Sequence, residues 1–113
     1  MVARPLVYRA FPNFGATRQG APGFPLIIHI GMNALTFTNE SGEEWTCTAN
    51  LGYTSDHMST FALEPEERHQ IAYANFQKPG YTVDIDVLRS EARDKIAMVC
   101  VEPSGRTLSY DFR

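Results

Sequence analysis

Leu35-Thr36-Phe37-Thr38-Asn39-Glu40-Ser41-Gly42-Glu43-Glu44-Trp45-Thr46-Cys47-Thr48 decides how this chain is read. Two runs alternate apolar residues with threonine. A polar stretch containing Gly42 separates them, as between two half-buried strands. Ala34 to Thr38 and Glu43 to Asn50 therefore read as hairpin partners. The pattern continues on both sides. Leu26 to Ile30 is a strand with apolar residues on both faces, and Thr60 to Leu63 is a short one. His69 to Gln77 ends at Lys78-Pro79-Gly80. Tyr81 to Leu88 alternates Val83, Ile85 and Val87 with Thr82, Asp84 and Asp86. Ile96 to Val101 ends at Pro103-Ser104-Gly105, and Thr107 to Phe112 follows.

The remaining segments carry less pattern. Leu6 to Phe11, bracketed by Pro5 and Pro12, is a strand or a helical turn. Pro12 to Pro25 holds three Pro and three Gly, which argues against a regular element there. Phe14 and Phe24 make it a segment that folds across one end of the core rather than a free linker. Arg89 to Lys95 is the one helix-like stretch, but it lacks an apolar stripe and reads as a solvated connection with room for one helical turn. The expected fold is all-β, a small antiparallel up-and-down barrel, because closure hides sheet edges. An open sandwich, or a curved sheet with an N-terminal helix, are the alternatives. One domain spans residues 1–113, with 1–25 as arm and loop and 26–113 as the barrel.

Apolar content of 43% with 20% charged residues is that of a soluble globule. A net charge of −3 argues against nucleic acid as partner, and no apolar run has the length of a membrane span. The first residues lack the apolar stretch of a secretory signal, so the expected compartment is the cytoplasm. In that compartment Cys47 and Cys100 are expected as two buried thiols; the sequence does not show whether their Cα atoms approach.

From about Ala34 onward the order of elements resembles the small lipocalin-like (calycin) barrels related to MoaF. The likeness rests on Leu35 through Gly42 to Trp45, on Ile71-Ala72-Tyr73 followed by Pro79-Gly80 and Thr82-Val83, and on Ser104-Gly105 followed by Tyr110 and Phe112. It implies a barrel with a small-molecule cavity, in a class that includes carriers and cofactor-free lyases or cyclases. It carries over no active-site residue.

Alternation places Met98 with Cys100, Trp45 with Cys47, His69 with Ile71 and Tyr73, and Leu108 with Tyr110 and Phe112 on shared faces. If those faces converge, the interior is apolar and aromatic with a few polar tips, the composition of a ligand pocket. The candidate catalytic residues are His29, His69 and Tyr73. The candidate ligand-binding residues are Phe14, Phe24, Trp45, Cys47, Met98 and Tyr110. Three isolated histidines give no metal-ligand spacing, so no metal and no cofactor are expected. Asp84 and Asp86 read as the outward face of a strand. Tyr53, Asp56 and His57 share a polar loop in which Asp56 would orient His57. The expected function is binding of a small apolar or aromatic molecule, as a carrier or as a cofactor-independent lyase, isomerase or cyclase. The alternative is a protein-interaction module or homodimer with a filled core.

Overall fold

The computed structural model describes residues 16–20, 23–53, 56–76 and 84–113. Phe14, the expected element at 6–11 and the Lys78-Pro79-Gly80 turn lie outside the described residues. The strands are β1 (Ala16–Gln19), β2 (Leu26–Ile30), β3 (Ala34–Asn39), β4 (Trp45–Leu51), β5 (Met58–Leu63), β6 (Arg68–Ala72), β7 (Ile96–Val101) and β8 (Thr107–Phe112). A 3-10 turn follows β6 at Tyr73–Phe76, and an α-helix, α1, covers Ile85–Asp94.

These strands form two four-stranded antiparallel sheets, in the orders β1-β2-β3-β6 and β5-β4-β7-β8. The quoted stretch is therefore a crossing and not a hairpin. β3 pairs with β2 and β6, whereas β4 pairs with β5 and β7. The reason is Asn39. Its side chain is wholly buried, where a hairpin turn residue would face water. Its Nδ2 lies 2.8 Å from the Glu43 carbonyl oxygen and 3.1 Å from those of Leu63 and Glu64. Its Oδ1 accepts from the Ser41 amide at 2.9 Å and the Ser41 hydroxyl at 2.8 Å. The β3–β4 and β5–β6 connections both pass between sheets, and this one amide ties them together. A second such crossing, β5 to β6, leaves no ladder among the described residues that would close the sheets into one barrel.

Each sheet buries one face. Leu26, Ile28 and Ile30 of β2 and Leu35 and Phe37 of β3 face Trp45, Cys47, Ala49 and Leu51 of β4 and Ile96, Met98 and Cys100 of β7. In the second sheet, rings from opposite ends of the strands meet at one residue. The sheet's register sets Leu51 opposite Ile96 and Ile96 opposite Phe112, so Phe112 lies level with the far end of β4 from Trp45. Six residues of strand span roughly 20 Å. Yet one ring, Phe24, lies 5.4 Å from Trp45 and 5.9 Å from Phe112 between centroids. Coiling of a twisted sheet closes that diagonal.

Three further expectations are corrected. Residues 85–88 are not strand, and 89–94 are more than a single helical turn: together they supply α1, with Lys95 as its extended C-cap. Asp84 is its N-cap, accepting from the Asp86 amide, and Asp86 pairs with Arg89 at 2.8 Å. The apolar stripe became visible only across the split, because Leu88 and Ala92 are the buried pair one turn apart. Strand β1 lies within the Pro/Gly-rich segment, where Thr17-Arg18-Gln19 is free of both residues and pairs with Ile27 to His29. The two cysteines are not free thiols. The register places Cys47 directly opposite Cys100, with Cα atoms 4.0 Å apart, and they form a disulfide.

Candidate functional site

The aromatic interior expected from the sequence assembles around Phe24. This residue precedes β2 in the connection from β1, next to exposed Gly23, and its ring is 3% exposed. Its carbonyl accepts the Leu26 amide at 2.8 Å, which folds the backbone back and turns the ring inward. The ring belongs to the first sheet's chain but rests on the second sheet. It stacks on Tyr110 at 5.7 Å, with Trp45 and Phe112 flanking it. Tyr110 and Phe112, two apart on β8, meet edge to face at 4.9 Å. Trp45 is 2% exposed, and its indole Nε1 is buried without a hydrogen-bond partner. An unpaired buried donor costs about 1–3 kcal/mol, so a nest that keeps one is unusual.

Of the candidate ligand-binding residues, Phe24, Trp45 and Tyr110 thus meet in one nest. Met98 faces the same interior beside Tyr110, its partner in register. Cys47 also points inward, but its sulfur is committed to Cys100. Phe14 lies outside the described residues.

The candidate catalytic residues occupy three separate settings. His29 alternates with buried Ile28 and Ile30 and so lies on the outer face of its sheet, between Thr17 and Thr36. His69 faces inward at the β6 edge, stacked on Phe61 at 5.8 Å, with Nδ1 3.7 Å from a Glu67 carboxylate oxygen. Tyr73 is in the 3-10 turn, not on the strand, and is fully buried. Its hydroxyl donates to the Gly31 carbonyl at 2.8 Å. Burial pushes its phenol up to about 12, against a smaller opposing pull from Arg89 and Arg93. A phenol so held stays protonated and serves as a tie between the 3-10 turn and the end of β2.

The structure also pairs a histidine that the sequence read with a different partner. Glu91 of α1, not Asp56, orients His57: Nδ1 lies 2.5 Å from Oε1. The signal was the helix itself, missed because Asp84-Ile85-Asp86-Val87 alternates like a strand. Among the described residues, no group of three or more His, Cys, Asp or Glu side chains is placed to hold a metal ion. No helix among them is long and apolar enough to cross a membrane. No family model, curated protein or solved structure matches the chain.

Proposed function

We propose that this protein binds a small aromatic molecule carrying a hydrogen-bond acceptor, at the nest of Phe24, Trp45, Tyr110 and Phe112. The observation that carries this reading is the Trp45 N–H, buried and unpaired on an indole that packs against Phe24. A flat guest that displaces the Phe24 ring keeps the stacking on Tyr110 and gives that N–H an acceptor. Phe24 is suited to move because the adjoining Gly23 faces open space. The resemblance to MoaF-related lipocalin-like barrels implies a small-molecule guest, although the sheets do not close into a barrel among the described residues. The Cys47–Cys100 bond favours an oxidising compartment over the cytoplasm expected from the sequence.

Trp45 is the chain's sole tryptophan, so its emission reports the site directly. Titration with 2-acetylnaphthalene, a flat ketone, should give a saturable change with a Kd near ~100 µM or tighter. A strictly linear response through the millimolar range rejects the reading.

A second reading, self-association, is favoured by the outer face of the β5-β4-β7-β8 sheet. The rows Ala62-Thr46-Val101-Thr107 and Thr60-Thr48-Val99-Ser109 contain no charge, and Val99 and Val101 are exposed. A shallow groove of about 410 Å³, lined by Glu44, Thr46, Val101, Glu102 and Pro103, borders that face. Sedimentation of the wild type against Val99→Lys tests this second reading. A dimer abolished by the lysine supports association through this face, and an unchanged monomer rejects it.

A further inference from the structure

His57 and Glu91 lie apart from the aromatic nest, and guest binding there makes no use of them. Their side chains are 14% and 25% exposed, so the pair is sheltered yet reachable. A carboxylate at Nδ1 takes the imidazole's N–H and leaves the lone pair on Nε2, which becomes the basic atom. The backbone is shaped for this contact. Gly52 has φ +73°, and a Cβ there would stand 3.1 Å from the Glu91 Cβ and 3.3 Å from its Cδ. Only a residue without a side chain lets the carboxylate settle against the end of β4.

Other functional groups gather around Leu51-Gly52-Tyr53. The Leu51 amide donates to the His57 carbonyl, and the Gly52 amide to the Lys95 carbonyl, both at 2.8 Å. Lys95 follows Glu91 by one helical turn; its amide donates to the Glu91 carbonyl at 3.0 Å. Its ammonium lies 4.9 Å from the Tyr53 ring centroid and 3.5 Å from Asp111. The Tyr53 ring is 70% exposed and offers a flat platform.

We infer that His57 and Glu91 form an acid–base site that tautomerises a small enolisable carbonyl compound. His57 Nε2 takes a proton from the carbon beside the carbonyl. The electron pair of that C–H bond forms the enolate C=C, and the carbonyl π pair moves onto oxygen. The enolate oxygen is left to water at this edge, because the Lys95 ammonium is held toward Asp111 on β8. Glu91 compensates the imidazolium charge. Nε2 then delivers its proton to the enolate oxygen, giving the enol, or back to carbon. No oxidant, reductant or second substrate enters. His57 is the catalytic residue and Glu91 a positioning residue. This site is independent of guest binding at Trp45.

The test is exchange of the α-protons of phenylacetone in D2O, followed by proton NMR with the full chain. The wild type should exchange them at least about a hundredfold faster than 4-methylimidazole at equal concentration, the lower range for a positioned base. His57→Gln should fall to that background. Glu91→Gln retains an acceptor for Nδ1–H, so the fold is kept, yet the rate should drop about tenfold or more. Gly52→Ala should do the same with both side chains present. In nitrogen-15 spectra of the wild type, His57 should show a protonated Nδ1 and a bare Nε2. A rate equal to 4-methylimidazole, an unchanged rate in Glu91→Gln, or a proton on Nε2 overturns the inference.

Discussion

Asn39 and Trp45 stand at the two ends of the same crossing, both buried, and the protein treats their polar atoms in opposite ways. The Asn39 amide meets three carbonyls and a serine through its two ends. The Trp45 N–H meets none. A buried polar group is ordinarily paired because leaving it bare costs more than the bond contributes. Saturation at Asn39 marks a structural device, since its bonds to Ser41 and Glu43 brace the β3–β4 connection and those to Leu63 and Glu64 tie it to the β5–β6 connection. The unpaired donor six residues later has no structural use that would explain it, and this contrast is why the nest, not the crossing, is assigned the guest.

The comparison can be broken first at the covalent link. β4 carries Trp45 and is fastened to β7 by Cys47–Cys100, which spans 53 residues of sequence. Loop-closure entropy for such a span corresponds to about 4 kcal/mol. Replacing the pair by Ala and Val, or adding reductant, should lower the free energy of unfolding by that amount, with a larger m-value because the unlinked unfolded chain exposes more surface. If stability barely changes, the position of Trp45 is fixed by Asn39 and packing alone, and the disulfide belongs to neither role.

Asn39→Ala comes next. It leaves the Glu43, Leu63 and Glu64 carbonyls without this donor and should cost about 2–4 kcal/mol. Asn39→Asp sharpens the point. The shape is kept, but a carboxylate then faces three carbonyl oxygens, so the loss at neutral pH should equal or exceed that of alanine. Urea denaturation of the two variants checks the order. An aspartate that is well tolerated would show that shape, rather than donor chemistry, holds the crossing.

How far the sequence reached can be judged from these residues. Alternation grouped Trp45 with Cys47, Met98 with Cys100, and Tyr110 with Phe112 on shared faces, because period two is a local property, and the structure turns those faces inward. Which strand pairs with which is not local. Leu35-Thr36-Phe37-Thr38 and Trp45-Thr46-Cys47-Thr48 read as a hairpin because nothing between them announces that Asn39 turns inward. Cys47 facing Cys100 required the β4–β7 pairing, across 53 residues. The helix was hidden for a different reason. Val83, Ile85 and Val87 alternate as in a strand, and the helical pair Leu88 and Ala92 spanned a boundary drawn between Leu88 and Arg89. With α1 unread, Glu91 could not be seen beside His57.

Tyr73 supplies a middle case between Asn39 and Trp45, a buried phenol with one bond, to Gly31. Its ionisation is held up to about 12 in the folded chain, against an ordinary value of 10.0. The folded state therefore binds its proton more tightly than the unfolded state. Stability from this source is complete below pH 10 and is lost as pH rises from 10 toward 12. The loss amounts to roughly 2–3 kcal/mol across that window. Tyr73→Phe should remove that portion of the alkaline slope and, at neutral pH, cost about 0.5–1.5 kcal/mol. Guest binding should be unaltered, because the hydroxyl is occupied. A weakened Kd for 2-acetylnaphthalene in this variant would return Tyr73 to the site.

The smallest expected change in stability is the most informative. Trp45→Phe deletes the unpaired N–H together with part of the ring. The lost packing and the relieved donor act in opposite directions, so the net change should be within about 1.5 kcal/mol, well below that of Asn39→Ala. Binding should respond the other way. 2-Acetylnaphthalene, followed by its own emission, should lose about tenfold in affinity, the worth of one buried hydrogen bond of near 1.4 kcal/mol. 2-Ethylnaphthalene, which has no acceptor, should bind both proteins alike. Equal losses for the ketone and the hydrocarbon would mean that the indole contributes surface only, and the donor at Trp45 would then be a tolerated defect of the core.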